Sequence, residues 1–112
     1  MADPRYPTLL QTLDEIEAEL RLIGVWSGQP PAHSAFASSV PFFADSMRFE
    51  QWLQWVLLAR LRALIEGDLP LPERCQVAPM AEESLHHLEQ DLSRLLTLLQ
   101  DLDNLFTDAA TP

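Results

Sequence analysis

The sequence of 112 residues contains no lysine, a single cysteine and only three glycines. Because lysine is missing, seven arginines carry all the positive charge against 17 acidic residues, and the formal net charge is -10. A field of that sign repels phosphate backbones and anionic lipid surfaces over roughly one Debye length, about 8 Å in physiological salt. We therefore expect neither direct nucleic-acid binding nor membrane binding.

The lone cysteine, Cys75, excludes an internal disulfide and suits a reducing compartment. It lies in a proline-rich stretch with no histidine nearby, so we expect a passive thiol. The first residues lack the basic region and apolar core of a signal peptide. No apolar run approaches the ~20 residues needed to span a bilayer. These features predict a cytoplasmic protein.

Several enzyme signatures are also absent from the sequence. Three glycines leave no phosphate-binding loop, and the motifs G-x-S-x-G, H-E-x-x-H and C-x-x-C do not occur. The apolar content of 47% is sufficient for one compact core. We expect residues 1–112 to form a single domain without a cofactor, and an enzyme is the less favoured class.

The aromatic mass is concentrated between Pro41 and Ile65. From about Met47 the residues favour a helix, which should end at Gly67 in the left-handed conformation. On a wheel of 100° per residue, the members of the main apolar side are Phe49, Trp52, Leu53, Val56, Leu57, Ala63 and Leu64. Trp55, Leu58 and Ile65 lie away from that side. Because the helix is apolar nearly all round, we expect it in the middle of a bundle or at a second interface.

Two charged residues of this stretch need an interpretation. Arg60 projects into the apolar arc between Leu53 and Leu64, so it should extend its head group to solvent or pair with a carboxylate of another helix. A contact to a ligand or partner is the alternative. Asp45 precedes the helix with Ser46, and either side chain can accept hydrogen bonds from the first free N–H groups. Asp45 is thus expected to cap the helix rather than to catalyse a reaction.

The central pattern is too irregular to arise from helix periodicity alone. Its parts are Pro41-Phe42-Phe43, Asp45, Met47 and Trp52-Leu53-Gln54-Trp55-Val56, followed by LPLP and VAP. In this pattern, and over most of its length, the chain resembles the YqcC-like family of small bacterial proteins. The resemblance implies an all-helical fold and an unknown activity. The resemblance also implies a name, because this family has been labelled by association as a tRNA pseudouridine synthase C domain.

Catalysis of pseudouridine formation does not follow from that label. The resemblance would require the chemistry of pseudouridine synthases, which uses an aspartate in a larger, sheet-containing, RNA-binding domain. No Arg-Leu-Asp run of that kind occurs here, and the net charge opposes tRNA binding. We expect an accessory connection to tRNA pseudouridine synthesis, or a connection by gene neighbourhood only.

Apolar residues recur at alternating spacings of four and three near the start of the chain, and this pattern predicts the first helix. Its members are Leu9, Leu13, Ile16, Leu20 and Ile23. This helix should begin between Pro4 and Thr8, capped by Asp3 or Thr8, and end near Val25 or Trp26. Residues 28–40 are rich in proline, serine and alanine and should form a long connection.

The second half of the chain leaves one alternative open. Leucines recur regularly from Leu85 to Phe106, and a single helix from Met80 would be about 40 Å long at 1.5 Å per residue. A break between His86 and Asp91 would match the other helices better. We therefore predict a short third helix from Pro79 to about His87 and a fourth from about Gln90 to Phe106.

One cluster has the chemistry of metal ligands. His86 and His87 lie beside Glu82, Glu83 and Glu89, and Glu83 and His87 would share a helical face. Two ligands do not make a site, and the Glu-x-x-His spacing of di-iron bundles occurs only once. No metal site is therefore expected.

These observations predict an all-α fold, a four-helix up-and-down bundle with a short third helix and a long first loop. The leading hypothesis for function is a non-enzymatic protein–protein interaction module, with a protein partner or a homodimer. The alternatives are an accessory factor or domain of tRNA pseudouridine synthesis and a small-ligand or metal-binding bundle. Candidate interaction or pocket residues are Phe42, Phe43, Asp45, Met47, Trp52, Gln54, Trp55 and Arg60. A place in the core is the favoured alternative for the aromatic members of this set.

Overall fold

The computed structural model describes residues 3–109, with side chains described to Phe106. This range contains four helices and no strand. They are α1 (Tyr6–Leu22), α2 (residues 49–66), α3 (Ala78–Ser84) and α4 (Ser93–Ala109). Two 3₁₀ turns, His33–Ala37 and Pro41–Phe43, lie in the long loop between α1 and α2. The predicted all-α four-helix bundle with a short third helix is confirmed. None of the helices between residues 3 and 109 is both long and apolar enough to cross a membrane.

The apolar seam of α1 is buried as the spacing predicts. Its buried members, each at most 1% exposed, are Leu9, Leu13, Ile16 and Leu20. The helix ends at Leu22, earlier than predicted, because Gly24 takes the left-handed conformation at φ 81°. The Val25 N–H then reaches the Leu20 carbonyl at 3.1 Å, which satisfies a carbonyl that the helix leaves free.

The most extensive packing between helices joins α1 and α4. The buried members on α4 are Leu95, Leu98, Leu99, Leu102 and Phe106. An ion pair at the surface, Arg94 with Glu15 at 3.4 Å, spans the same two helices. The core therefore lies between the first and last helices, and α2 covers it with one face.

A π-helical turn interrupts α2 and changes which of its residues are buried. The helix is α-helical over Phe49–Trp52 and Ala59–Glu66, whereas Leu53–Leu58 forms the π turn. A π turn holds one residue more than an α turn, so every later side chain is rotated by about 100° from its position on a regular wheel.

The expected arc of α2 was therefore wrong in part beyond Leu53, although Leu57 and Leu64 do pack against the core. Leu58, placed away from the apolar side, is 1% exposed, and Leu61 is 2% exposed. Ala63, placed on the apolar side, is exposed. Arg60 is also exposed rather than set between Leu53 and Leu64, and among residues 3–106 it forms no ion pair. Its neighbour Arg62 bridges α2 to α1 instead, through Asp14 at 3.0 Å and Glu17 at 2.5 Å.

The two ends of α2 also differ from expectation. Asp45 and Ser46 do not cap it, because the helix begins at Phe49, beyond their reach. The Arg48 N–H donates to Gln51 Oε1 at 2.8 Å instead. At the other end Gly67 keeps φ -86°, and Asp68 is the left-handed residue at φ 52°.

The break between the third and fourth helices is confirmed. Helix α3 ends at Ser84 and α4 begins at Ser93, where the Asp91 carboxylate accepts bonds from the Ser93 N–H at 3.0 Å and the Ser93 hydroxyl at 2.7 Å. The bond to the Ser93 N–H satisfies a free donor at the N-terminus of α4 and so stabilises the start of that helix. Gln90 donates to the Ile23 carbonyl at 2.8 Å and so attaches this loop to the end of α1.

A buried carboxylate of α4 fixes the start of α3. Asp103 is 6% exposed, and its two oxygens accept bonds from the N–H groups of Val77 and Ala78, each at 2.9 Å. A carboxylate at a helix N-terminus is favourable because the free N–H groups and the helix dipole attract it. Burial, followed by the nearby Asp103 carboxylate, raises the pKa of the Cys75 thiol far above its usual range. Such a thiol stays protonated, in line with the predicted passive role.

Candidate functional site

A cleft of about 230 Å³ opens where the start of α2 meets α3 and the loop that follows it. We call it the α2–α3 cleft. Its apolar lining residues are Phe42, Ala44, Met47, Phe49 and Met80. Arg48, Ser84 and His87 supply the polar part of the lining. The cleft thus combines aromatic and thioether walls with a few polar groups, the general composition of a binding site.

A strained turn places the aromatic wall. Phe42 and Phe43 have φ of 58° and 52°, a left-handed conformation that is unfavourable for bulky residues and costs of order 1–3 kcal/mol each. In this conformation the Phe42 ring lies 4.9 Å from the Trp52 ring and 5.8 Å from the Phe49 ring, between centroids. Phe49 and Trp52 stack at 5.5 Å. The three rings form one aromatic cluster, of which Phe42 and Phe49 line the cleft.

A buried carboxylate, Glu50, lies beside the cleft. The residue is 6% exposed, and its Oε2 is 3.5 Å from His87 Nε2 and 3.9 Å from Arg48 Nε. Both distances are long for a hydrogen bond. Its other oxygen, Oε1, is buried and has no hydrogen-bond partner among the residues described. A buried carboxylate without donors is unfavourable, so Glu50 is the chemically exceptional group of this region.

Of the residues predicted for the site, some gather at the cleft. Phe42 and Met47 line it, and Trp52 supports Phe42 from behind. Phe43 belongs to the same strained turn and is partly exposed.

The remaining predicted site residues do not line the cleft. Asp45 accepts a hydrogen bond from the Ser38 hydroxyl within the long loop. Gln54 is buried and binds the backbone of Ser27. Trp55 is partly exposed, and its indole N–H is enclosed without a partner in the described range. Arg60 points to solvent, because the π turn rotates it away.

Sequence reasoning missed Glu50, Arg48, Met80 and Ser84 as site residues. One signal was available for Glu50, which precedes Leu53 by three residues and Gln54 by four and therefore shares their buried face. His87 was considered only as a metal ligand. It faces Glu50 instead, and His86 contacts the Glu83 carbonyl of its own turn. Within residues 3–106 no group of three histidine, cysteine or acidic side chains is placed to hold a metal ion.

Residues 8–105 match the protein family described as tRNA pseudouridine synthase C. The chain belongs to this family. It is 38% identical over 99 residues to the uncharacterised protein YqcC of Escherichia coli, covering 88% of this chain and 91% of YqcC. It is 37% identical over 95 residues to an uncharacterised protein of Haemophilus influenzae, covering 85% of this chain and 89% of that protein. The resemblance to the YqcC-like family is confirmed.

Two further comparisons bear on fold and on naming. The solution NMR structure of E. coli YqcC superposes with a TM-score of 0.83 at 34% identity, covering 98% of this chain and 94% of that one. A 62-residue segment, 55% of this chain, is 47% identical to part of the tRNA pseudouridine synthase C of Pectobacterium carotovorum subsp. carotovorum. That segment accounts for only 16% of the Pectobacterium protein.

Proposed function

We propose that this chain is a non-enzymatic interaction module that binds a tRNA pseudouridine synthase as an accessory protein. The observation that carries the proposal is the match to a segment making up 16% of the Pectobacterium tRNA pseudouridine synthase C. A segment within an enzyme's own polypeptide is held beside it at high effective concentration. A separate chain of the same kind has to reach the enzyme by binding.

The charge of the chain supports a protein partner rather than RNA. A net charge of -10 repels tRNA, so the RNA contacts are left to the synthase. An enzyme that holds tRNA presents positive surfaces to it, and an acidic protein is complementary to such surfaces. Complementary charge raises the rate of encounter and selects the partner more than it raises affinity.

The α2–α3 cleft supports binding to a protein more than binding to a free metabolite. Its volume of about 230 Å³ is below the ~300–1,000 Å³ typical of small-molecule pockets. It has the size for one large side chain of a partner. A small-ligand bundle is the second candidate, favoured by the same cleft with its buried carboxylate.

Purification of tagged chain mixed with the tRNA pseudouridine synthase C of the same organism tests the proposal. We expect the synthase to be retained. The chain alone should neither isomerise uridine in tRNA nor retain tRNA at low salt. Isomerisation by the purified chain, or failure to retain the synthase, would contradict the proposal.

Light scattering on the chain alone separates the remaining possibilities. A monomer would leave its contact surfaces free for the synthase, as proposed here. A stable homodimer would show that part of the surface serves self-association, and retention of the synthase would then have to be measured with the dimer.

A further inference from the structure

We propose that the α2–α3 cleft receives an arginine side chain of the protein partner, whose guanidinium pairs with the buried carboxylate of Glu50. The identity of that partner as a tRNA pseudouridine synthase rests on the function proposed above. The arginine pocket itself rests on the geometry of the cleft.

Glu50 lacks the donors that a buried carboxylate requires. Its Oε1 has no hydrogen-bond partner among the residues described, and the nitrogens near Oε2, His87 Nε2 at 3.5 Å and Arg48 Nε at 3.9 Å, are both at long distances. A guanidinium offers five N–H donors in a planar fork that matches both carboxylate oxygens at once. An incoming arginine therefore completes an acceptor that the isolated chain leaves unsatisfied.

The two cleft residues nearest to the Glu50 carboxylate are exposed and loosely held. The side chain of His87 is 48% exposed and that of Arg48 is 70% exposed, and both line the cleft. Neither is held to Glu50 by a short hydrogen bond. An incoming guanidinium would take the place of His87 and Arg48 beside Glu50 Oε2.

The walls of the cleft fit the rest of an arginine side chain. Phe42 and Phe49 present aromatic rings, which attract a guanidinium placed over their faces. Met47 and Met80 are flexible thioethers that adapt to the methylene stem. A volume of about 230 Å³ holds one such long side chain.

The charges around the cleft favour a cationic occupant such as arginine over an anionic one. Arg48 and His87, which line the cleft, would also suit a carboxylate or phosphate, but the carboxylate of Glu50 beside them would repel an anion. The net charge of -10 likewise favours a basic partner segment.

An NMR titration of the full-length chain with N-acetyl-arginine methylamide tests the pocket. We expect saturable shifts of the amide signals of Phe49, Glu50 and Met80. The citrulline analogue, which has the same shape without charge, should bind at least about tenfold more weakly, because the charge-assisted bonds are lost. Equal binding of the two probes would overturn the proposal without any variant.

Three variants locate the contact. Glu50→Gln should weaken the arginine probe at least about tenfold, while Glu89→Gln, an exposed acid of the neighbouring loop, should leave binding unchanged. Arg48→Ala removes a cation of the cleft lining that competes for Glu50, so it should bind the arginine probe more tightly. Weaker binding by Arg48→Ala would contradict pairing of the probe with Glu50. Thermal melting verifies that Glu50→Gln is folded; if it is not, the comparison of the arginine and citrulline probes on the wild type decides the proposal.

Retention of the synthase by the wild type and Glu50→Gln distinguishes the two proposals. Equal retention by both proteins would contradict an arginine contact at Glu50 and leave the accessory function intact. Retention by neither, with the arginine probe still bound by the wild type, would contradict the accessory function and leave the pocket intact.

Discussion

The side chain of Gln54 and the backbone of Ser27 form a closed pair of hydrogen bonds. Gln54 Oε1 accepts the Ser27 N–H at 2.8 Å, and Gln54 Nε2 donates to the Ser27 carbonyl at 2.6 Å. The pair joins the π turn of α2 to the chain leaving α1, 27 residues earlier. These bonds attach the loop that follows α1 to the π turn of α2, and they satisfy backbone groups of Ser27 that lie outside a helix.

Replacement of Gln54 should destabilise the protein. Gln54→Ala removes both bonds and leaves the Ser27 backbone groups without these partners, so we expect a loss of about 2 kcal/mol in the free energy of unfolding. Gln100→Ala is the matched control, because Gln100 is exposed and bonds only to Asn104 among the described side chains. Urea denaturation measures both; equal losses would show that the pair contributes nothing.

Asp103→Asn tests the buried cap of α3. The carboxylate holds two N–H groups, and an amide offers one acceptor oxygen and no charge, so we expect a loss of about 2 kcal/mol. Asp101→Asn, an exposed neighbour on α4, should change stability by less than about 0.5 kcal/mol. Hydrogen exchange at Val77 and Ala78 should accelerate in Asp103→Asn alone, and unchanged protection there would contradict the assignment.

Acid should remove the contribution of Glu17. The hydrogen bond from Arg62 holds the pKa of Glu17 below its ordinary value of 4.5. Because the folded pKa is lower than the unfolded one, the pair stabilises the fold above about pH 4.5, and this contribution is lost as the pH falls through the lowered pKa. In urea denaturation, Arg62→Met should be less stable than wild type at pH 7 by about 1 kcal/mol, and the difference should shrink towards pH 3.

Arg60→Met is the control for that experiment, because Arg60 is exposed and unpaired among residues 3–106. Its difference from wild type should be small at both pH values. A gap for Arg62→Met that stays constant with pH would contradict a role for the ionised Glu17.

The π turn makes α2 tolerant of losing one residue. Deletion of Val56 should convert Leu53–Leu58 to regular α-helix and keep Leu53, Leu58 and Leu61 on one face. We expect the deletion variant to fold, with a stability change within about 2 kcal/mol. Deletion of Ala18, an exposed residue of the regular helix α1, rotates Leu20 relative to Leu13 and should cost more than about 3 kcal/mol. Circular dichroism melts compare the two, and equal damage would contradict the prediction.

The sequence predicts the parts of this fold that depend on regular spacing. The seam of α1 and the leucines of α4 are buried as predicted, since both are uninterrupted α-helices where the 3.6-residue period applies. The break before Ser93 was also predictable, from helix length. Leu58 was misplaced because a helical wheel assumes 100° per residue throughout, and the apolar pattern does not reveal a π turn. The predicted direction of each later side chain is wrong by the same rotation.

The candidate site was predictable only in part. Phe42 and Met47 were found because aromatic and thioether residues cluster in the sequence beside Trp52. Glu50 was missed because its chemical interest comes from what surrounds it, including His87, which lies 37 positions later in the chain. Gln54 was predicted as an interaction or pocket residue, but its side chain binds the backbone of Ser27, a contact across a loop whose path the sequence does not specify.

Isothermal titration of the purified chain into the tRNA pseudouridine synthase C of the same organism tests the central claim most directly. We predict a saturable 1:1 complex with a dissociation constant of about 1 µM or tighter, which corresponds to about -8 kcal/mol. The affinity should weaken at high salt, because the acidic surface contributes to the contact. Absence of binding at concentrations up to about 100 µM would contradict an accessory role for this chain.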